Sequence, residues 1–427
     1  MLQVKPFSIR RFLPLPYEEA LEPRLRRAHR RLQSAGGWVR PRWDGAALDA
    51  VLADAASIRR EARVLIVVGS GGAFLGARGV IRCLCGPSRE TEGPMVRFVG
   101  GASADGVGEA LALTGDLDFS VAVSGGDAET GGVLRVFRRA LAEKYGREEA
   151  ERRLYRVPPL ETAGSAEPYG LLTAPGLLPM AAAGVDIASL TAGAAEMAAG
   201  CAAGGYDCAA WQYASLRYEL YRTGRPVEVL VCREAAYRPL LEWWRLVFSG
   251  DRGILPAAGF AEVLPLAGQA PRWERRPLFE TILCPAPAHM PEKVPAGDFG
   301  DGMDFLAGES LDDIARRALE SALLTHTDSG VPCVVLESGG TAAELGELIY
   351  FFSYVSALCR GLLEGETAEP SEGAAYQRNL SALLGQPGYS RHRAALEQRL
   401  WAAGGALSAA CLNGDAGSGR EPAEICL

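Results

Sequence analysis

A short β-branched segment that ends at a glycine turn constrains the fold of this chain more than any other feature. Val64–Val68 is uniformly apolar, is followed by Gly69, and leads into a helical pattern over Phe74–Leu84. A buried strand followed directly by a helix indicates a parallel sheet, because parallel neighbours need a crossover connection. Further strands are predicted at Val96–Val99 and Phe119–Val123. This part of the chain therefore predicts βαβ units.

The strand–helix pattern then begins again in the second half of the chain. Val227–Cys232 predicts a buried strand and Leu240–Phe248 a helix. Thr281–Leu283 and Cys333–Leu336 predict two more strands, with a helix at Leu311–Leu324 between them. Two α/β halves in succession predict two tandem three-layer sandwiches, each a parallel sheet flanked by helices, that share a cleft.

The ends of the chain have a different composition. The opening is rich in arginine and helical in pattern, while Leu345–Leu363 and Ala374–Leu384 predict helices that follow the second half. After Trp401 the tail is rich in Gly, Ala and Ser, which is typical of a poorly ordered segment. The predicted division is an N-terminal helical segment at 1–45, a first α/β domain at 46–195, a second at 196–360, a C-terminal helical arm at 361–402 and a disordered tail at 403–427.

Charge and cysteine usage exclude several classes of function. The net charge of −8 and pI near 5.3 argue against nucleic acid as a partner, because phosphate backbones require basic surface. Ten cysteines occur without any Cys-x-x-Cys pair, so no metal site, redox motif or cofactor is predicted. Neither a signal peptide nor an apolar run near 18 residues is evident, which predicts a cytoplasmic protein without a membrane segment.

The glycine turn also carries a family resemblance. Residues 67–78, VVGSGGAFLGAR, resemble the first signature of bacterial glucose-6-phosphate isomerases, VGIGGSYLGAR. Residues 172–186 and 212–222 are similar to two more of that family's segments, and other ordered matches extend over about residues 60–390. The resemblance implies two tandem sugar-isomerase (SIS) domains with a C-terminal helical arm, a homodimer, and interconversion of glucose 6-phosphate and fructose 6-phosphate in glycolysis and gluconeogenesis.

The resemblance assigns the substrate-binding positions but shows departures in the phosphate loop. Where the family reads SKSGTTTET, this chain has Ala122 and Val123 in place of the Ser-Lys pair, and Asp127 in place of a threonine. A carboxylate near a phosphate is repulsive, so only weak binding of a sugar or sugar phosphate is expected. The positions that the resemblance implies for substrate binding are Gly69, Gly71, Gly72, Ser124, Gly125, Asp127, Thr130 and Gln269.

The catalytic positions depart further from the family. Isomerisation through an enediol needs a carboxylate, a ring-opening histidine and a cation. Asp251 lies nearest the family's glutamate, Pro265 and Pro168 occupy the histidine and arginine positions, and Gln377 replaces the arm lysine. His326 falls in a segment that matches the family, where a structural or dimer-packing role is the favoured interpretation.

Three functions remain open at this point. The favoured hypothesis is an isomerase homologue with little or no isomerase activity that acts as a binding or regulatory paralogue. One alternative is an isomerase or binder of a different, non-phosphorylated sugar-like ligand, with Asp127 accepting a hydrogen bond from a ligand hydroxyl. The other is an active isomerase with relocated groups, using Asp251, Gln377 and His326.

Overall fold

The computed structural model describes residues 2–13, 17–40, 43, 45–86, 93–124, 128–156, 168–250, 253–260, 277–286, 292–297, 299–363 and 372–402. The strands of these residues are β1 Gln3–Phe7, β2 Val64–Gly69, β3 Met95–Val99, β4 Phe119–Ser124, β5 Leu154–Arg156, β6 Val227–Cys232, β7 Leu255–Phe260, β8 Leu278–Pro285 and β9 Cys333–Ser338. The helices are α1 Tyr17–Ala35, α2 Gly45–Glu61, α3 Gly71–Cys85, α4 Ala104–Asp116, α5 Ala128–Tyr145, α6 Arg147–Arg152, α7 Ala174–Ala182, α8 Ile187–Ala202, α9 Ala209–Arg222, α10 Arg238–Phe248, α11 Leu311–Asp328, α12 Ala342–Leu363, α13 Glu372–Leu383 and α14 Ser390–Ala402.

The first sheet has the order β3-β2-β4-β5, and all of its neighbours are parallel. Its two faces are buried against different helices, as the uniformly apolar strand β2 predicts. Leu65 and Val67 belong to one hydrophobic cluster, and Ile66 and Val68 to another on the opposite face. The predicted strands at Val64, Val96 and Phe119 are confirmed.

The second sheet has the order β1-β9-β8-β6-β7, with β1 antiparallel to β9 and the other pairs parallel. It confirms the predicted α/β class with parallel sheets flanked by helices. The sequence analysis predicts only helical structure for residues 1–45, whereas Gln3–Phe7 supplies this edge strand. The sequence pattern also fails to predict the strand Leu255–Phe260.

Helix α12 is the central element of the second half. Its backbone crosses α8 closely: a Cβ on Gly346 would lie 1.9 Å from the Leu190 oxygen, and one on Gly193 would lie 1.9 Å from the Ala343 oxygen. By length and composition α12 could cross a membrane, but 72% of its apolar window is buried inside the protein, as in the core helix of a soluble protein. Packing within the chain therefore covers most of this apolar surface, and the homodimer remains a prediction from the family resemblance.

The chain forms two compact units, residues 1–366 and 367–427. In the second unit, His392 Nε2 on α14 lies 2.9 Å from Asn379 Oδ1 on α13. Helix α12 ends at Leu363, past the predicted start of the arm at residue 361. The division into domains remains a prediction, and the tail at 403–427 lies outside the described residues.

Candidate functional site

The glycine turn after β2 brings four of the predicted residues together at the carboxyl edge of the first sheet. Ser70 N donates to the Ser124 oxygen at 3.0 Å, and a Cβ on Gly69 would lie 1.8 Å from that same oxygen. Gly71 has φ 79°, a left-handed conformation that favours glycine. A Cβ on Gly72 would lie 2.0 Å from the Pro168 oxygen. The glycines at positions 69 and 72 are therefore required by close backbone approach.

Ser124 and Thr130 are the two hydroxyl residues that the phosphate loop keeps. Ser124 ends β4 and is 1% exposed, and its Oγ has no hydrogen-bond partner among the described residues. Thr130 lies in the first turn of α5 and is also buried. The neighbouring Glu129 carboxylate accepts a hydrogen bond from Ala102 N at 2.6 Å. This end of α5 therefore already holds a carboxylate, which satisfies the favourable interaction of a helix N-terminus with negative charge.

The two positions where the family has Ser-Lys are part of the hydrophobic core. Ala122 is 2% exposed and belongs to the large cluster that joins the two sheets. Val123, on the other face of β4, packs against the cluster formed with α4 and α5. Successive strand residues point to opposite faces of the sheet, and both faces are apolar here. Neither side chain therefore contributes to a polar site.

The segment that begins at Pro168 lies against the glycine turn. Pro168 is buried, with its carbonyl directed at Gly72, so the family's arginine position supplies no charge here. The Tyr169 ring stacks on Trp38 with centroids 4.3 Å apart, and its hydroxyl lies 3.3 Å from Ser356 Oγ on α12. Pro168 thus packs against the glycine turn, and the next residue, Tyr169, is held by stacking on Trp38.

Arg360 is a cation in this region that sequence reasoning missed. Its guanidinium carbon lies 5.5 Å from the centroid of the Tyr169 ring, within cation–π range, and its Nη2 donates to the Val247 oxygen at 3.4 Å. A Cβ on Gly250 would lie 2.1 Å from Nη2, so the side chain passes directly beside the end of α10. Arg360 is half-buried in the last turn of the largely apolar α12. No local sequence signal relates it to Tyr169, which is why only the fold reveals it.

His326 lies elsewhere in the molecule. It is 2% exposed, and its Nδ1 is 2.6 Å from Glu280 Oε2. Glu280 is paired with Cys333, the first residue of β9, so the His–Glu pair lies where β8 and β9 begin. Gly339 and Gly340 follow the opposite end of β9. His326 is therefore at the amino edge of its sheet, which supports the structural interpretation.

Gly125, Asp127, Asp251, Pro265 and Gln269 lie outside the described residues. Gln377 is exposed on α13 in the second compact unit.

Two other features of the described residues bear on the choice of site. No group of three or more His, Cys, Asp or Glu side chains among them is arranged to hold a metal ion. A surface cleft of about 630 Å³ lies between α1 and α8, with His29, Arg30 and Arg40 in its lining. None of the predicted site residues lines that cleft within the described part of the chain.

Comparison with known proteins gives consistent relatives. No family model matches the sequence. The chain is 34% identical to a glucose-6-phosphate isomerase of Symbiobacterium thermophilum over 433 residues, covering 91% of this chain and 97% of the relative. It is also 34% identical to the enzyme of that name from Listeria monocytogenes serotype 4b, covering 89% and 95%.

Two solved structures share the fold at low sequence identity. A hypothetical protein from Thermus thermophilus superposes with a TM-score of 0.76 at 18% identity, covering 90% of this chain and 100% of that one. A glucose-6-phosphate isomerase from Chlamydia trachomatis superposes with a TM-score of 0.64 at 14% identity, covering 91% and 88%.

Proposed function

The chain belongs to the glucose-6-phosphate isomerase family, and from that premise we propose that it keeps the family scaffold with little or no isomerase activity. In this proposal it acts as a binding or regulatory paralogue of the enzyme. The carrying observation is the apolar packing of Ala122, Val123 and Pro168 around the turn, at three positions where the family places polar or charged groups.

The energetic consequence concerns both binding and chemistry. A phosphate at this turn would lack the lysine and serine of the family, and in the sequence Asp127 replaces one of the family's threonines. Charges of like sign at close range repel by about 1 to 4 kcal/mol at 4 Å, depending on how far water shields the site. The loss of a general base alone removes a factor of roughly 10² to 10⁴ in rate. Weak binding and slow proton transfer are therefore both expected.

A coupled assay with fructose 6-phosphate and glucose-6-phosphate dehydrogenase tests this proposal. We expect kcat/KM at least about a thousandfold below that of the Symbiobacterium thermophilum relative under the same conditions. Turnover within tenfold of the relative would overturn it. The inhibitor-like ligand 6-phosphogluconate should give no thermal shift at millimolar concentration.

One observation favours a second candidate, an active isomerase with a relocated cation. Arg360 brings a guanidinium beside Tyr169, the neighbour of the family's arginine position. In that case Arg360→Met would lower turnover of fructose 6-phosphate by about 100-fold or more, since a cation that stabilises the enediolate contributes several kcal/mol. Arg78→Met removes a partly exposed arginine that pairs with Glu242 and is the matched control. If neither variant changes the background rate, the relocated cation is excluded.

A further inference from the structure

Two cysteines meet where α8 ends and α9 begins. Cys201 is in the last turn of α8 and is fully buried, and Cys208 is the N-cap residue of α9 and is half-buried. Their sulfur atoms are 3.5 Å apart. A disulfide requires about 2.05 Å, so the sulfurs need to approach by only about 1.5 Å.

The connection between these cysteines is a glycine turn that keeps them close together. Gly204 and Gly205 both have positive φ, 68° and 106°, and are the residues that let the chain reverse direction here. Gly204 N donates to the Cys201 oxygen at 3.2 Å, and Cys208 N donates to the Gly205 oxygen at 3.1 Å. The turn therefore holds both cysteines in place through their own backbones.

The two thiols have different chemical environments. The pKa of Cys208 is lowered to about 7, first by the hydrogen bond with Cys201 and then by the backbone amides of Trp211 and Ala210, while burial opposes the shift. The pKa of Cys201 is raised by its interaction with Cys208 and by burial. A thiolate at a helix N-terminus is the reactive form of cysteine. Cys208 is at the start of α9 and half-buried, whereas Cys201 is fully buried. Cys208 is therefore the accessible nucleophile of the pair, and Cys201 is placed to resolve it.

We propose that Cys201 and Cys208 are an oxidisable thiol pair that forms an intrachain disulfide with a small hydroperoxide and so fastens α8 to α9. The Cys208 thiolate attacks a peroxide oxygen, the O–O bond breaks, and a sulfenic acid forms as hydroxide leaves and takes up a proton. The Cys201 sulfur then attacks the Cys208 sulfur, the S–O bond breaks, and water leaves. Two thiols and one hydrogen peroxide give one disulfide and two waters.

The local packing shows what the disulfide would hold. Tyr206, within the turn, donates through its hydroxyl to the Glu18 oxygen on α1 at 2.9 Å, and Gln212 Nε2 donates to the Tyr206 oxygen at 2.7 Å. The turn therefore joins α1, α8 and α9. A disulfide across this turn would keep residues 201 and 208 together in the unfolded chain and so lower its conformational entropy.

Mass spectrometry of the full chain tests the proposal. The protein is treated with hydrogen peroxide, unreacted thiols are alkylated, and the chain is cut by trypsin and by a protease specific for aspartate. Cleavage before Asp207 places Cys201 in peptide 186–206 and Cys208 in peptide 207–217. We expect the two peptides linked, with a mass two hydrogens below their sum, and released by dithiothreitol.

Three variants test whether the disulfide requires these two cysteines. Cys208→Ser and Cys201→Ala should both abolish the linked peptide, and Cys284→Ser, which removes another half-buried cysteine, should leave it unchanged. Recovery of alkylated Cys201 from peroxide-treated wild-type protein in which Cys208 is oxidised to the sulfinic acid would overturn the proposal. So would linkage of Cys208 to any other cysteine. These outcomes are read from the wild-type protein, so they do not depend on the folding of a variant.

Discussion

Gly72→Ala tests the close packing that forms the candidate site. The added methyl would lie 2.0 Å from the Pro168 oxygen and 2.7 Å from its carbonyl carbon, whereas real Cβ contacts are essentially never below 3.0 Å. The turn and the Pro168 segment must therefore move apart by about 1 Å. Overpacking of this kind costs about 1 to 3 kcal/mol, and both partners here are backbone atoms that cannot rotate away. We expect the free energy of unfolding to fall by an amount in the upper half of that range.

Urea unfolding followed by circular dichroism measures the change, and Gly132→Ala is the matched control. Gly132 lies inside α5, and a Cβ there meets nothing within 4 Å. The same substitution at that position should raise stability by roughly 0.5 to 1 kcal/mol, because glycine costs entropy in a helix. Equal effects of the two variants, or a stable Gly72→Ala protein, would refute the inference that the turn and Pro168 are in direct contact.

Three further variants probe buried polar groups and a helix end. Arg217→Met should lower the free energy of unfolding by about 3 to 5 kcal/mol, because it leaves the buried Glu228 carboxylate without the guanidinium that now lies 2.6 Å away; the double variant with Glu228→Gln should recover part of that loss, and no recovery would contradict the pairing. His326→Leu should cost about 1 to 3 kcal/mol by calorimetry, since Glu280 then loses a buried partner, whereas unchanged stability with altered turnover would favour a catalytic role. Asp186→Ala should cost about 1 kcal/mol at pH 7, because the Asp186 carboxylate caps α8. Hydrogen bonds from Ser189 hold the pKa of Asp186 below its usual range, so this stability is present above the usual Asp pKa of about 3.9. It is lost as pH falls through the folded pKa, and a pH-independent difference between wild type and variant would contradict the assignment.

The centre of the first sheet could be predicted from the sequence because β2 and β4 are buried on both faces. Val64–Val68 is apolar at every position, so a buried strand can be predicted from these residues alone. The strand Leu255–Phe260 contains Pro, Ala and Gly and forms because it pairs with β6, which a local pattern does not encode. The edge strand Gln3–Phe7 contains Pro6, a residue that sheets accept at an edge. These two strands depend on tertiary pairing, and so the sequence analysis missed them.

The part of the candidate site that could be predicted is the glycine turn, because its signal lies in consecutive residues. Gly69 and Gly72 indicate the turn, and the fold confirms that Ser124 lies directly against it. Arg360 could not be found in this way. It is separated from Tyr169 by most of the second half of the chain, and the contact exists only because α12 passes beside the Pro168 segment. The sequence of this largely apolar helix gives no signal that its single arginine lies beside Tyr169.

Solvent exchange at C1 of fructose 6-phosphate tests the central claim most directly, because it detects proton transfer without requiring complete turnover. The protein is incubated with fructose 6-phosphate in deuterium oxide, and loss of the C1 proton signal is followed by NMR against a sample without protein. We predict exchange at least about a thousandfold slower than that catalysed by the Symbiobacterium thermophilum relative, since Pro168, Ala122 and Val123 leave the turn without the family's polar groups. Exchange at the rate of an ordinary family member, abolished by Asp251→Asn, would contradict the account.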